Sequence, residues 1–66
     1  MVFNNTEKRI IKVLYQHHKA LSTSKIAKYT GHSYNTVKKY LMSLNRGGYV
    51  HYTHHGNAIY WWLREG

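Results

Sequence analysis

Between Ser24 and Val50 the chain reads SKIAKYTGHSYNTVKKYLMSLNRGGYV, and its chemistry-bearing side chains recur there at helical spacing. Asn35, Lys38, Lys39, Met42 and Arg46 fall on one face of a helix, with Tyr34 at its entrance. An amide fork, two ammonium groups and a guanidinium donate hydrogen bonds and carry charge, but they do not by themselves make or break covalent bonds. That set suits recognition of a polyanion whose phosphates and base edges line a groove.

Catalysis lacks comparable equipment. Glu7 and Glu65 stand at opposite ends, there is neither Asp nor Cys, and no serine sits in a nucleophile motif. Six histidines raise the question of a metal, yet His17-His18 and His54-His55 are adjacent pairs, not pairs one helical turn apart. Without cysteine, and with almost no carboxylate, nothing completes such a site. No enzyme activity, cofactor or metal is expected.

Composition points the same way. Ten Lys and Arg oppose two Glu, for a net charge of +8 over 66 residues. Such an excess implies a polyanionic partner, nucleic acid ahead of a membrane surface, with simple solubility as the bland alternative. No apolar run approaches the ~18 residues of a membrane span. The start MVFNNTEK lacks the apolar stretch of a signal peptide, so a cytoplasmic location is expected. A chain this short buries only roughly 60% of the surface exposed on unfolding. With no disulfide to staple it, its core must come from aliphatics and from seven Tyr, two Trp and one Phe.

These side chains need elements to hold them. Asn5 to His18 reads as a first helix with Ile10, Val13, Leu14 and His17 inward, Ile11 and His18 on the shoulder, and Lys8, Arg9, Lys12 and Gln16 opposite. Asn4 with Glu7 resembles a capping box, and Asn5 or Thr6 are alternative caps. Ala20 to Thr23 is too short for a helix and suits a brief strand. Ser22, Thr23 or Ser24 can then cap a second helix reaching Thr30, with Ile26, Ala27 and Thr30 inward and Gly31 as its left-handed stop. Ser33 caps a third helix running to about Arg46, with Val37, Tyr40, Leu41 and Leu44 on its core face. After Gly47-Gly48 the period changes to two. Tyr49 to Thr53 and Ala58 to Leu63 read as the strands of a hairpin, joined by a His54-His55-Gly56-Asn57 turn. In the second strand Ile59, Trp61 and Leu63 share one face, Tyr60 and Trp62 the other.

In that order the chain resembles the winged helix-turn-helix family, through Ile26-Ala27, Gly31, Ser33, Thr36-Val37, Leu41, Leu44 and Gly48-Tyr49-Val50. The tail Tyr60 to Gly66 is similar to the family's last wing strand. The resemblance covers about residues 5 to 66 and implies a single α+β domain over 1–66. It would hold three helices, a C-terminal β-hairpin wing and a short strand between helices one and two. It further implies double-stranded DNA as partner, with the third helix in the major groove and a role in transcription regulation. Carried over by position, Tyr34, Asn35, Lys38 and Met42 would touch base edges, Asn35 matching adenine and Lys38 guanine. Ser24, Lys25, Ser33, Thr36, Lys39 and Arg46 would hold phosphates, fixing register without reading sequence. The wing would present His54, His55 and Asn57.

The chain departs from the family at that tip, where histidines replace the usual Arg or Lys. Histidine changes charge near neutral pH, so DNA affinity is expected to rise as pH falls from about 8 to 6. Two other readings stay open. A winged helix can bind protein instead of DNA, and exposed Tyr60 and Trp62 would favour that. Z-alpha domains, which bind left-handed Z-DNA, share the pattern from Gly31 to Val50, and Trp61 matches their wing tryptophan. They carry Lys, Asn and Tyr where this chain has Tyr34, Lys38 and Met42, and a Pro-Pro wing where this chain has no proline. Monomer and homodimer are both open; in a dimer the first helix, or Tyr60 and Trp62, would form the contact. Phe3 could pack under the sheet or meet a partner.

Overall fold

The computed structural model describes residues 2–64; Met1, Glu65 and Gly66, and with them the end of the expected last strand, lie outside the described residues. The chain order is α1 (Asn5–His17), β1 (Leu21–Ser22), α2 (Thr23–Thr30), α3 (Tyr34–Arg46), β2 (Val50–His55) and β3 (Ala58–Leu63). Three helices and a β-hairpin are thus arranged as an α+β winged helix.

Local chemistry starts each helix. Asn4 Oδ1 accepts from Glu7 N–H at 2.8 Å while Glu7 Oε1 accepts from Asn4 N–H at 3.0 Å, so the capping box closes reciprocally. Ser22, of the three candidates, caps α2 by accepting from Lys25 N–H at 3.1 Å. Ser33 caps α3, accepting from Thr36 N–H at 3.2 Å. The stop after α2 falls where expected: Gly31 has φ 76° and its N–H reaches Ala27 O at 2.9 Å. Helix α1 stops one residue earlier than expected, because His18 itself turns left-handed (φ 52°) to send the chain back toward β1.

The hairpin differs from the expectation at both ends of its first strand. Tyr49 is not its first residue. Its N–H closes α3 on Leu44 O at 2.9 Å, and its carbonyl accepts from Arg64 N–H at 3.0 Å. At the other end His54 and His55 are strand residues rather than turn residues, paired with Ile59 and Ala58. The turn is Gly56-Asn57 alone. Gly56, at φ 61°, supplies the positive first position that a two-residue hairpin turn needs.

The short strand between the first two helices is present and completes a three-stranded antiparallel sheet of order β1-β3-β2. Central β3 places Trp61 between Leu21 and Tyr52. On the helix side of the sheet Trp61 and Val50 are wholly buried and join Ile10, Ile26, Val37, Leu41 and Leu44 in one apolar cluster. Each such side chain contributes about 1.5–3 kcal/mol by burial, a large share of the ~5–15 kcal/mol that holds a typical domain folded. Phe3 packs here too, edge-on to Tyr49 with ring centroids 4.9 Å apart. The core therefore fixes both sides of the turn between α2 and α3.

Candidate nucleic-acid interface

Helix α3 turns its apolar stripe, Val37, Leu41 and Leu44, into the core. Its opposite face follows from the helical period: Tyr34, Asn35, Lys38, Lys39 and Arg46 are all exposed. Met42 differs from these neighbours. It is half-buried and packs against the core cluster, so only part of it faces out.

The start of α3 carries no compensating negative charge. No acidic residue occupies its first turn, and the unpaired N–H groups of a helix N-terminus attract phosphate. Ser33 Oγ donates to Thr36 Oγ1 at 2.9 Å while accepting from Thr36 N–H, so its hydroxyl is spent on the cap. Thr36 is half-buried, with its Oγ1 accepting the Ser33 proton. The ammonium of Lys39 lies 5.7 Å from the Tyr40 ring centroid, within range of a cation–π contact that draws it sideways along the helix. Ser24 and Lys25, in the first turn of α2, are exposed, and Ser24 is not the cap.

At the wing, β2 alternates. Tyr52 and His54 lie on the Trp61 side of the sheet; His51, Thr53 and His55 lie on the other. All five are exposed, as is Asn57 in the turn. Tyr60 and Trp62 are half-buried instead of exposed, each within about 6 Å of a histidine ring: His55 with Tyr60 and His51 with Trp62. Trp61 offers no surface at all, being wholly buried with its Nε1–H donated to Thr23. Among the described residues, no three of the His and Glu side chains converge as metal ligands.

Three contacts that hold this face were not legible as pairs in the sequence. Asn45 Nδ2 donates to Val50 O at 2.8 Å, bracing the end of α3 against the wing. Thr23 bonds Trp61, and His17 stacks on Tyr29 at 4.6 Å, tying α1 to α2. Each partner has an ordinary residue type at no fixed spacing, so only the fold reveals the pairing.

A helix pair joined by the three residues Gly31 to Ser33, with an outward polar face on the second helix and a hairpin after it, defines a winged helix-turn-helix protein. Residues 6–56 match the HTH domain family, and the chain belongs to that family. No curated protein matches it significantly. Among solved structures, the chain is similar to a possible transcriptional regulatory protein (fragment 1-100) from Mycobacterium bovis, with TM-score 0.84 and 27% identity. That match covers 91% of this chain and 62% of that one, so the chain spans about three fifths of the fragment. In solution the M. bovis fragment is described as the homodimeric winged helix-turn-helix DNA-binding domain of a possible ArsR-family transcriptional regulator. It has TM-score 0.81 and 27% identity, covering 91% of this chain and 54% of that one. The Zalpha domain of Carassius auratus PKZ, in complex with Z-DNA, is also similar, with TM-score 0.79 and 29% identity over 89% of this chain and 92% of that one. No described helix is long and apolar enough to cross a membrane.

Proposed function

We propose that the chain is a DNA-binding transcriptional regulator and not an enzyme. It would lay α3 in the major groove of double-stranded DNA in a cytoplasmic compartment. The observation that carries this reading is the exposed face of α3, where Asn35, Lys38, Lys39 and Arg46 stand without an acidic neighbour in the first turn. Asn35 and Lys38, with Tyr34 and the exposed part of Met42, read base edges. Thr36, Lys39, Arg46, Ser24 and Lys25 hold phosphates, and Ser33 orients Thr36. The HTH family membership and the likeness to the homodimeric winged helix-turn-helix DNA-binding domain from M. bovis support the reading. That fragment is homodimeric, and a dimer of this chain would place two α3 helices on half-sites about one turn apart.

The test is fluorescence anisotropy of a labelled random-sequence duplex at several salt concentrations, with sedimentation to fix the oligomeric state. Micromolar binding with a steep salt slope is the expected outcome. Absence of binding at ~50 mM salt, where phosphate contacts are strongest, would transfer the reading to a protein-binding winged helix. The likeness to the Zalpha complex favours a second reading, recognition of left-handed DNA. Against it stand Tyr34, Lys38 and Met42 and the buried ring of Trp61. Competition between a B-form and a Z-form duplex of one sequence decides between the two.

A further inference from the structure

A second basic surface is built from α1 and α2. Between them runs a groove of about 490 Å³ lined by Lys8, Arg9 and Lys12 together with Asn5, Val13, Gln16 and Tyr29. No residue of α3 or of the hairpin lines it. All of these side chains except Val13 are exposed. Lys8 and Lys12 stand one turn apart, about 6 Å along the helix axis, and Arg9 lies further round the helix, so the cations form a staggered row rather than a point. The stacking of His17 on Tyr29 at 4.6 Å holds the facing wall.

Nothing on the described chain neutralises that row. Of the two acidic residues in the sequence, Glu7 is committed to the Asn4 backbone N–H in the capping box and does not line the groove. A staggered row of three cations with no acidic partner among the described residues, flanked by two amide side chains and a phenol as neutral donors, suits a polyanion. A nucleic-acid backbone is such a ligand.

We propose that the α1–α2 groove is a second DNA-backbone site, one that holds a separate duplex segment while α3 occupies the first. The chain then bridges two DNA segments without base readout at the second. This rests on the reading of α3 as the first DNA site. The groove contributes affinity that is salt-dependent and sequence-independent.

The experiment is duplex capture. A short duplex of ~12 base pairs, about one helical turn, is tethered to a bead and loaded with the protein. A second, fluorescent duplex of the same length is then added at low salt. The wild-type protein is expected to retain the second duplex. The Lys8→Ala/Arg9→Ala/Lys12→Ala variant, which keeps good helix formers at exposed positions, is expected to lose at least about tenfold of that capture. Its affinity for a single free duplex should change by less than about threefold near 150 mM salt, where charges beyond ~8 Å are screened. Circular dichroism checks that the variant keeps its helices.

Capture that persists in the triple variant would overturn the proposal, because bridging would then come from dimerisation through another face. Absence of capture by the wild-type protein would overturn it as well. Failure of the α3 reading is distinguishable: Lys38→Ala/Lys39→Ala would then leave single-duplex binding intact, and the α1 variant would abolish it.

Discussion

Trp61 donates its indole Nε1–H to Thr23 Oγ1 across 2.8 Å, and the two side chains are 0% and 1% exposed. The Thr23 hydroxyl passes its own proton to the Ile59 carbonyl at 3.3 Å, so one side chain joins the first residue of α2 to the central strand at two points. Because α3 leaves α2 through a three-residue turn and β3 is paired with β2 in the wing, this contact ties the helix pair to the wing. Thr23→Val keeps the side-chain volume but leaves a buried N–H unpaired, which costs about 1–3 kcal/mol. A urea titration should show a lower midpoint at unchanged slope, with Thr23→Ser recovering most of the difference. A valine variant with the wild-type midpoint would mean that the bond contributes nothing net.

On α3, base-reading and phosphate-holding side chains should respond differently to truncation. Asn35→Ala or Lys38→Ala should cost about 1–3 kcal/mol against the preferred sequence and relax specificity at one position. Lys39→Ala should weaken all duplexes alike and reduce the salt slope by about 1. Anisotropy with a selected duplex and a scrambled one separates the two patterns. If Lys38→Ala weakens both duplexes equally, Lys38 is a phosphate ligand.

The wing presents imidazoles: His51, His54 and His55 are all exposed on β2, where ring N–H groups can meet phosphate oxygens. His54→Ala/His55→Ala is therefore expected to weaken duplex binding by a few fold, alike for a selected and a scrambled sequence, in anisotropy titrations at one salt concentration. Equal affinities for the variant and the wild type would exclude the wing tip as a contact.

The reciprocal bonds between Asn4 and Glu7 make the start of α1 separately testable. Asn4→Ala removes the accepted bond and should cost about 0.5–2 kcal/mol. In a chain of this size each kcal/mol lowers the melting temperature by about 4–8 °C. Thermal denaturation followed by circular dichroism measures it, and an unshifted melt would assign the capping role to another residue.

Gly31 offers a clean measure of backbone strain. A methyl group added there meets nothing within 4 Å, yet φ is 76°. Gly31→Ala should therefore cost about 1–2 kcal/mol through conformation alone, with Gly31→Asn costing less. A greater penalty for asparagine than for alanine would point to crowding instead.

Much of this architecture follows from local rules that a sequence carries openly. The Asn4–Glu7 pair, Ser33 and Gly31 mark helix ends because capping and positive φ depend on a few neighbouring atoms. The inward stripes of α1 and α3 follow from a 3.6-residue period. The outward face of Asn35, Lys38, Lys39 and Arg46 follows as the remainder of that period, and their exposure agrees with it. Where local signals competed, the sequence was ambiguous. Three hydroxyls could cap α2, and the polar run His54-His55-Gly56-Asn57 read as a turn of four residues. The hairpin register shortened that turn to two, because His54 and His55 found partners in Ile59 and Ala58.

What only the tertiary structure decided are the relations between residues distant in the chain. Thr23 and Trp61 are 38 positions apart, and nothing in either residue type announces the other. The half-burial of Met42, Tyr60 and Trp62 depends on which elements cover them, as does the row of Lys8, Arg9 and Lys12 becoming one wall of a groove opposite Tyr29. Side-chain period states which way a residue points from its own helix or strand. Only packing states what stands opposite it, because that is set by the energy of the whole core and not by any local stretch of chain.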